Sequence, residues 1–356
     1  MSAEITLPLN SHDRAACLLS HAGFDGPIAL VPVQGGANSR TFRVELAGTH
    51  RRLFFKEYFR HPHDSRDRLG TEYAFASFAY DRGLRTLARP YAMDREHGCA
   101  LYAFIDGHKL TFNQITVNSI RQCVDFFRSL NAHKATPQAA ALPIASEACF
   151  TLEDHWECLR RRVRRLEAIQ PDNDLNQEAI AFVIERLAPT AAAHLQSARI
   201  RAREIGLDCS TFIADSDRCL SPSDFGFHNA LQTSDSSLSF LDFEYAGWDD
   251  PAKTVCDFFC QPACPVPLDF WNEFAGAVAQ TTSDPALSMH RFALLLPMYR
   301  LKWCCIMLND FLPAGAGRRQ FAIQDSDESY RKARQLDKAR QALLQYDAAR
   351  FVNRAA

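Results

Sequence analysis

Asp224, Asn229 and Asp242 are the residues in this chain whose types and spacing best suit chemistry; they lie within 221–244, SPSDFGFHNALQTSDSSLSFLDFE. Two apolar runs, HNALQ and LSFLDF, flank the polar tetrapeptide Ser234-Asp235-Ser236-Ser237, which is the pattern of a β-hairpin. Centring the turn between Asp235 and Ser236 sets Asn229 opposite Asp242 on one face, with Cβ atoms about 5 Å apart. An amide oxygen and a carboxylate at that separation can share a hard cation such as Mg²⁺. Asp224 precedes them in a loop, where a detached carboxylate can face a substrate. Two metal ligands plus one separate acid form a layout suited to phosphoryl transfer. Asp224 also fits a plain Ser-Pro-Ser-Asp turn, and Asn229 a strand end. Asp242, a carboxylate inside the apolar FLDFE, is harder to explain without a function.

A second pair lies upstream. Lys56 sits within the strand-like LFFKEY and shares a face with Phe54 and Tyr58. Glu72 is the only charge in a helical stripe of Leu69, Glu72, Tyr73, Ala76, Ala79 and Tyr80. A carboxylate in such a stripe needs a cationic partner, and Lys56 on the adjacent strand can supply it. Gly35 and Gly36 join two predicted strands, with Asn38 and Ser39 beside them. Backbone amides in such a loop can cover phosphate oxygens, although a glycine pair equally fits a simple turn. No G-x-x-x-x-G-K-[ST] run is present, so a P-loop fold is not indicated.

The elements that must position these groups fall into two kinds. Residues 27–58 read as three strands, PIALVPV, TFRVEL and LFFKEY; a helix follows over 67–82, then the strand CALYAFI. Beyond Gly107 the periodicity is mostly helical, interrupted by the hairpin. Pro297 should kink or break a helix over 288–312, and the polar SYRKARQLDKARQALLQYD forms a last helix. The expectation is α+β: a small antiparallel sheet lobe over 1–101, a hinge at 102–107, and a large mainly helical lobe over 108–356, with a ligand cleft between.

The chain has 356 residues, 47% of them hydrophobic and 23% charged, and a net charge of -2, which gives no global field for nucleic acid or an anionic membrane. The N-terminus lacks the pattern of a signal peptide, and Arg300 and Lys302 interrupt the most apolar late segment too soon for a membrane span. Twelve cysteines without a secretory signal suggest thiols in the cytoplasm. Cys256, Cys260 and Cys264 share a C-x3-C-x3-C spacing, looser than usual zinc sites, and fit small core residues better. The run Arg160, Arg161, Arg162, Arg164, Arg165 reads as a solvated helix face. Asp249 and Asp250, before Pro251, read as caps of the next helix.

In this order, the residues resemble the aminoglycoside phosphotransferase and choline kinase family, a branch of the protein-kinase-like fold. GGANSRTFRV resembles a nucleotide-covering loop, LYAFIDG a hinge, SDFGFHN a catalytic loop and LDFEYAGWDDP a metal-binding segment. The resemblance implies ATP beneath Gly35, Gly36, Asn38 and Ser39, Lys56 on its phosphates held by Glu72, and adenine against the backbone near Ala103 and Ile105. It further implies Asp224 as the catalytic base and Asn229 and Asp242 as Mg²⁺ ligands. Pro222-Ser223 stands where the family commonly has His-Gly, and Thr254 where many members carry a further aspartate, for which Asp257 is a substitute. The implied activity is transfer of the ATP γ-phosphate to a hydroxyl of a small molecule: an amino sugar, a sugar or an amino alcohol such as choline or ethanolamine. A non-catalytic nucleotide-binding module is the alternative. A cationic acceptor would need acids or an aromatic cage, for which Trp271, Tyr299 and Trp303 are candidates.

Overall fold

The computed structural model describes residues 10–33, 39–60, 64, 66–313 and 328–355, with side chains as far as Tyr346. Helix α1 (Ser11–His21) leads into strands β1 (Ile28–Pro32), β2 (Ser39–Leu46) and β3 (Arg52–Tyr58). Helix α2 (Arg68–Asp81) follows, then β4 (Pro90–Asp94) and β5 (Cys99–Ala103). The five strands form one antiparallel sheet in the order β1-β2-β3-β5-β4.

Strict alternation divides this sheet. Leu53 and Phe55 join Val44, Leu46 and Leu101 in a small core roofed by Ala15, Leu18 and Leu19 of α1. Phe54, Lys56 and Tyr58 therefore point the other way, towards α2 and the rest of the chain. Helix α1 and strand β4 carried no signal recognised in the sequence. Asn10 caps α1 by accepting from the Asp13 amide, so a capping motif was present to be read.

The remaining chain is mainly helical: α3 (Val117–Asn131), α4 (Pro137–Ala140), α5 (Leu152–Arg165), α6 (Asp174–Phe182) and α7 (Ala188–Glu204). Four short strands follow, β6 (Cys219–Ser221), β7 (Ala230–Gln232), β8 (Leu238–Phe240) and β9 (Gly247–Asp249). Helices α8 (Pro251–Cys260), α9 (Trp271–Ala279), α10 (Pro285–Met307) and α11 (Glu328–Ala355) complete it. Phe126, Phe225, Phe240, Phe243, Phe258 and Phe274 stack in its core directly behind the hairpin.

Pro297 does not break α10, which runs unbroken through it. The thiols of Cys256 and Cys260 donate to the carbonyls of Phe292 and Leu296, and Cys264 donates to Leu110. These cysteines are thus packing residues with weak hydrogen bonds. Among the described residues, no group of three His, Cys, Asp or Glu side chains could hold a metal, and no helix is long and apolar enough to cross a membrane.

Candidate active site

The cleft between the sheet and the helices is lined on one side by Ser39, Thr41, Lys56 and Glu72, and on the other by His228, Asn229 and Asp242. Gly35, Gly36 and Asn38 lie outside the described residues.

Lys56 is the centre of the cleft. Its Nζ donates to Glu72 Oε2 at 2.7 Å and to Asp242 Oδ1 at 2.7 Å. Glu72 also accepts from the Tyr58 hydroxyl at 2.8 Å, and Tyr58 shares a 2.9 Å hydrogen bond with the Tyr102 hydroxyl. Burial alone would lower the Lys56 pKa, but Asp242, Glu72 and Glu244 together raise it well above the ordinary value. Burial pushes the Glu72 carboxyl up, against the pull of Lys56. One helical turn earlier on α2, Arg68 Nε lies 3.5 Å from Glu244 Oε2. Helix α2 is therefore fastened to segment 242–244 at two levels.

The hairpin forms one residue out of the expected register. Ala230 pairs with Phe240 and Gln232 with Leu238, so Asn229 falls opposite Leu241, whose amide donates to the Asn229 carbonyl. The loop is the cause. Ser236 donates back to Thr233 and takes a left-handed φ of 66°, a three-residue loop rather than one centred between Asp235 and Ser236. Asp242 still reaches the cleft because it leaves the strand with φ 65°, a conformation that aspartate tolerates better than most residues. Its carboxylate is thus turned by the backbone, not by strand alternation.

Asn229 Nδ2 donates to the Asp224 carbonyl at 2.9 Å, which leaves its Oδ1 as the oxygen offered to a cation. Asp242 has Oδ1 on Lys56 and keeps Oδ2. An amide oxygen and a carboxylate oxygen on one cleft wall are a donor set that fits Mg²⁺.

Asp224 lies beside the cleft, with its Oδ1 3.0 Å from His228 Nε2. Burial would raise its carboxyl, but His228 and Asn229 hold it below the ordinary value. The loop before it is braced from α8. Ser223 has a left-handed φ of 67°, and its hydroxyl accepts from Lys253 Nζ at 3.2 Å. Lys253 in turn pairs with Asp249 at 2.6 Å, and Thr254 shares a 2.8 Å hydrogen bond with Ser221. Gly247 of β9 is needed here, because a Cβ would fall 2.2 Å from the Pro143 carbonyl.

Ala103 and Ile105 both line the cleft. The Ala103 amide is already used by the Arg89 carbonyl at 2.8 Å, whereas the Ile105 amide makes no backbone hydrogen bond among the described residues. Ala103 can therefore offer a ligand only its carbonyl. Both oxygens of Asp257 accept from buried Lys302 at 2.9 Å, and the Trp303 indole donates to it at 2.8 Å. Tyr299 is sealed in the core with its hydroxyl 2.7 Å from His155 Nδ1, so it cannot wall a substrate cage. Asp250 caps α8, accepting from the Ala252 amide, while Asp249 serves Lys253 instead. In the arginine run, Arg162 departs from the solvated face and pairs with Glu147. His228 is the site residue that the sequence reading missed. Its position four residues after Asp224 was the available signal.

A small antiparallel sheet closing over a helical body, with a lysine–glutamate pair in the cleft, defines a protein-kinase-like fold. The chain belongs to the phosphotransferase enzyme family, whose model matches residues 29–286. No curated protein sequence matches it. Among solved structures, it is similar to a choline/ethanolamine kinase family protein from Mesorhizobium loti, with 15% identity and TM-score 0.57 over 94% of this chain and 93% of that one. It is also similar to an ethanolamine kinase from Plasmodium vivax, with 14% identity and TM-score 0.56 over 88% and 82%. A spectinomycin phosphotransferase solved with ADP and spectinomycin has 13% identity and TM-score 0.55 over 92% and 99%. At these identities the likeness is one of fold.

Proposed function

We propose that the chain is an ATP- and Mg²⁺-dependent phosphotransferase acting on a hydroxyl of a small molecule: an amino sugar, a sugar or an amino alcohol. The observation that carries this reading is Lys56, buried and bonded at once to Glu72 and Asp242. A buried ammonium shared by two carboxylates at a cleft wall is a fixed positive charge, suited to phosphate oxygens. Adenine would rest on the edge at Ala103–Ile105, taking the Ile105 amide and the Ala103 carbonyl. Asn229 and Asp242 would hold Mg²⁺, which would supply positive charge to offset that of the phosphates. Asp224 would orient the acceptor hydroxyl and take its proton as the oxygen attacks the γ-phosphorus. Such catalysis is mostly positioning and electrostatics, which suits a site whose charged groups are held by named partners.

The test is ADP release from ATP with Mg²⁺ and a panel of sugars, amino sugars and amino alcohols. The expected result is release that depends on one acceptor class and is lost in Asp224→Asn. Equal release by the wild-type chain and that variant would overturn the reading.

A further inference from the structure

His228 sits against Asp224 in an arrangement with three distinct parts. Its Nε2 is 3.0 Å from Asp224 Oδ1. Its Nδ1 is buried with no hydrogen-bond partner among the described residues. Its ring packs on Gly226, where a Cβ would lie 3.0 Å from Nδ1 and 3.2 Å from Cε1. A neutral imidazole carries one N–H, and an unpartnered acceptor is cheaper to bury than an unpartnered donor. The proton therefore belongs on Nε2, facing the carboxylate. The next residue, Asn229, ties the same aspartate through its carbonyl. Asp224 is thus gripped at its main chain and at one carboxylate oxygen by consecutive residues.

We propose that His228 is a positioning residue for the phosphotransfer step. Its Nε2–H occupies Asp224 Oδ1 and leaves Oδ2 to receive the acceptor's proton. The assignment rests on the phosphotransferase reading above. In the step itself the acceptor O–H bond breaks and its proton passes to Oδ2. The acceptor oxygen forms the new bond to the γ-phosphorus, and the bond from that phosphorus to the β–γ bridging oxygen breaks, with its electron pair leaving on ADP. A carboxylate free to rotate would offer either oxygen at varying angles. One held at Oδ1 presents a single lone-pair direction, which is the geometric requirement of a general base. The role of Gly226 follows: it leaves room for the ring to reach the aspartate.

The experiment compares His228→Phe, His228→Gln and Gly226→Ala with the wild-type chain. ADP release is measured with ATP, Mg²⁺ and glucose, galactosamine, kanamycin, choline and ethanolamine as probes. Phe keeps the ring but removes the donor; Gln restores a donor at similar reach. The expected result is a fall in kcat of about 10- to 100-fold in His228→Phe, with KM for ATP nearly unchanged, and recovery of most of that loss in His228→Gln. Gly226→Ala should lower kcat in the same way by crowding the ring away from Asp224 without removing the imidazole, and it serves if His228→Phe does not fold. Wild-type kcat in both His228→Phe and Gly226→Ala would overturn the proposal, as would an equal loss in the Phe and Gln variants. A raised KM for ATP at constant kcat would instead confine His228 to nucleotide binding and also overturn it. Asp224→Asn separates the two readings. If it is inactive while His228→Phe keeps wild-type kcat, only the positioning role fails; if it matches the wild type, the phosphotransferase reading fails as well.

Discussion

Lys56 Nζ lies 2.7 Å from Asp242 Oδ1, a bond between residues 186 positions apart that joins the sheet to the helical body. Because Lys56 also holds Glu72, its removal strands two carboxylates, one of them deeply buried. Breaking a buried pair from one side costs about 3–5 kcal/mol. Lys56→Met should therefore lower the melting temperature by several degrees and cut ADP release at least about 100-fold. Adding Glu72→Gln to that variant should recover stability but not activity. Calorimetry and the ADP assay check the two halves separately.

Asp224→Asn keeps the hydrogen bond from His228 but removes the base. We expect kcat to fall by about 10²- to 10⁴-fold, with ATP affinity within a few-fold of wild type by titration calorimetry. A loss of nucleotide affinity as large as the loss of turnover would move Asp224 into the nucleotide subsite.

Asp242→Ala and Asn229→Ala should each raise the Mg²⁺ concentration needed for half-maximal ADP release, Asp242→Ala more so because a charge is lost. In Asp242→Ala, Lys56 still has Glu72, so the fold should survive. An unchanged metal requirement in both variants would refute their assignment as ligands.

Acid stability should depend on two ion-paired carboxylates, Asp250 and Glu147. Burial alone would raise the Asp250 carboxyl, but Arg291 and His155 hold it down at about 2. Burial likewise opposes the Arg162 and Lys302 charges that bring Glu147 to about 2. Both folded pKa values lie below the unfolded ones of about 4. Their stabilisation is thus complete above about pH 4 and is lost as pH falls from there through 2, on the order of 2 kcal/mol each. Melting temperature should fall steeply across that window, and less steeply in Glu147→Gln.

Much of the site could be read from residue order. The Lys56–Glu72 pair was legible because a lone carboxylate in an apolar helical stripe demands a cation nearby. Asp242 was legible for a similar reason. The hairpin register was not, because it depends on the left-handed Ser236, a conformation that residue type does not dictate. Nor was the pairing of Asp257 with Lys302, since two side chains 45 residues apart show their partnership only when α8 packs on α10. The bracing of Ser223 by Lys253 was hidden likewise. A lysine buried among helices resembles a surface lysine until its partner Asp249 is known.

The twelve cysteines have a practical consequence. Nine are buried, two half-buried, and Cys17 alone is exposed; they are spread from α1 and β5 through to α10. Burial pushes the Cys99, Cys260 and Cys305 thiols up to about 12, so the thiolates needed for alkylation are scarce in the native state. Each of these three thiols becomes reactive only when its own element opens. The chain therefore carries its own set of local stability gauges: timed alkylation read by mass spectrometry would rank the opening of sheet and helices without a single engineered label.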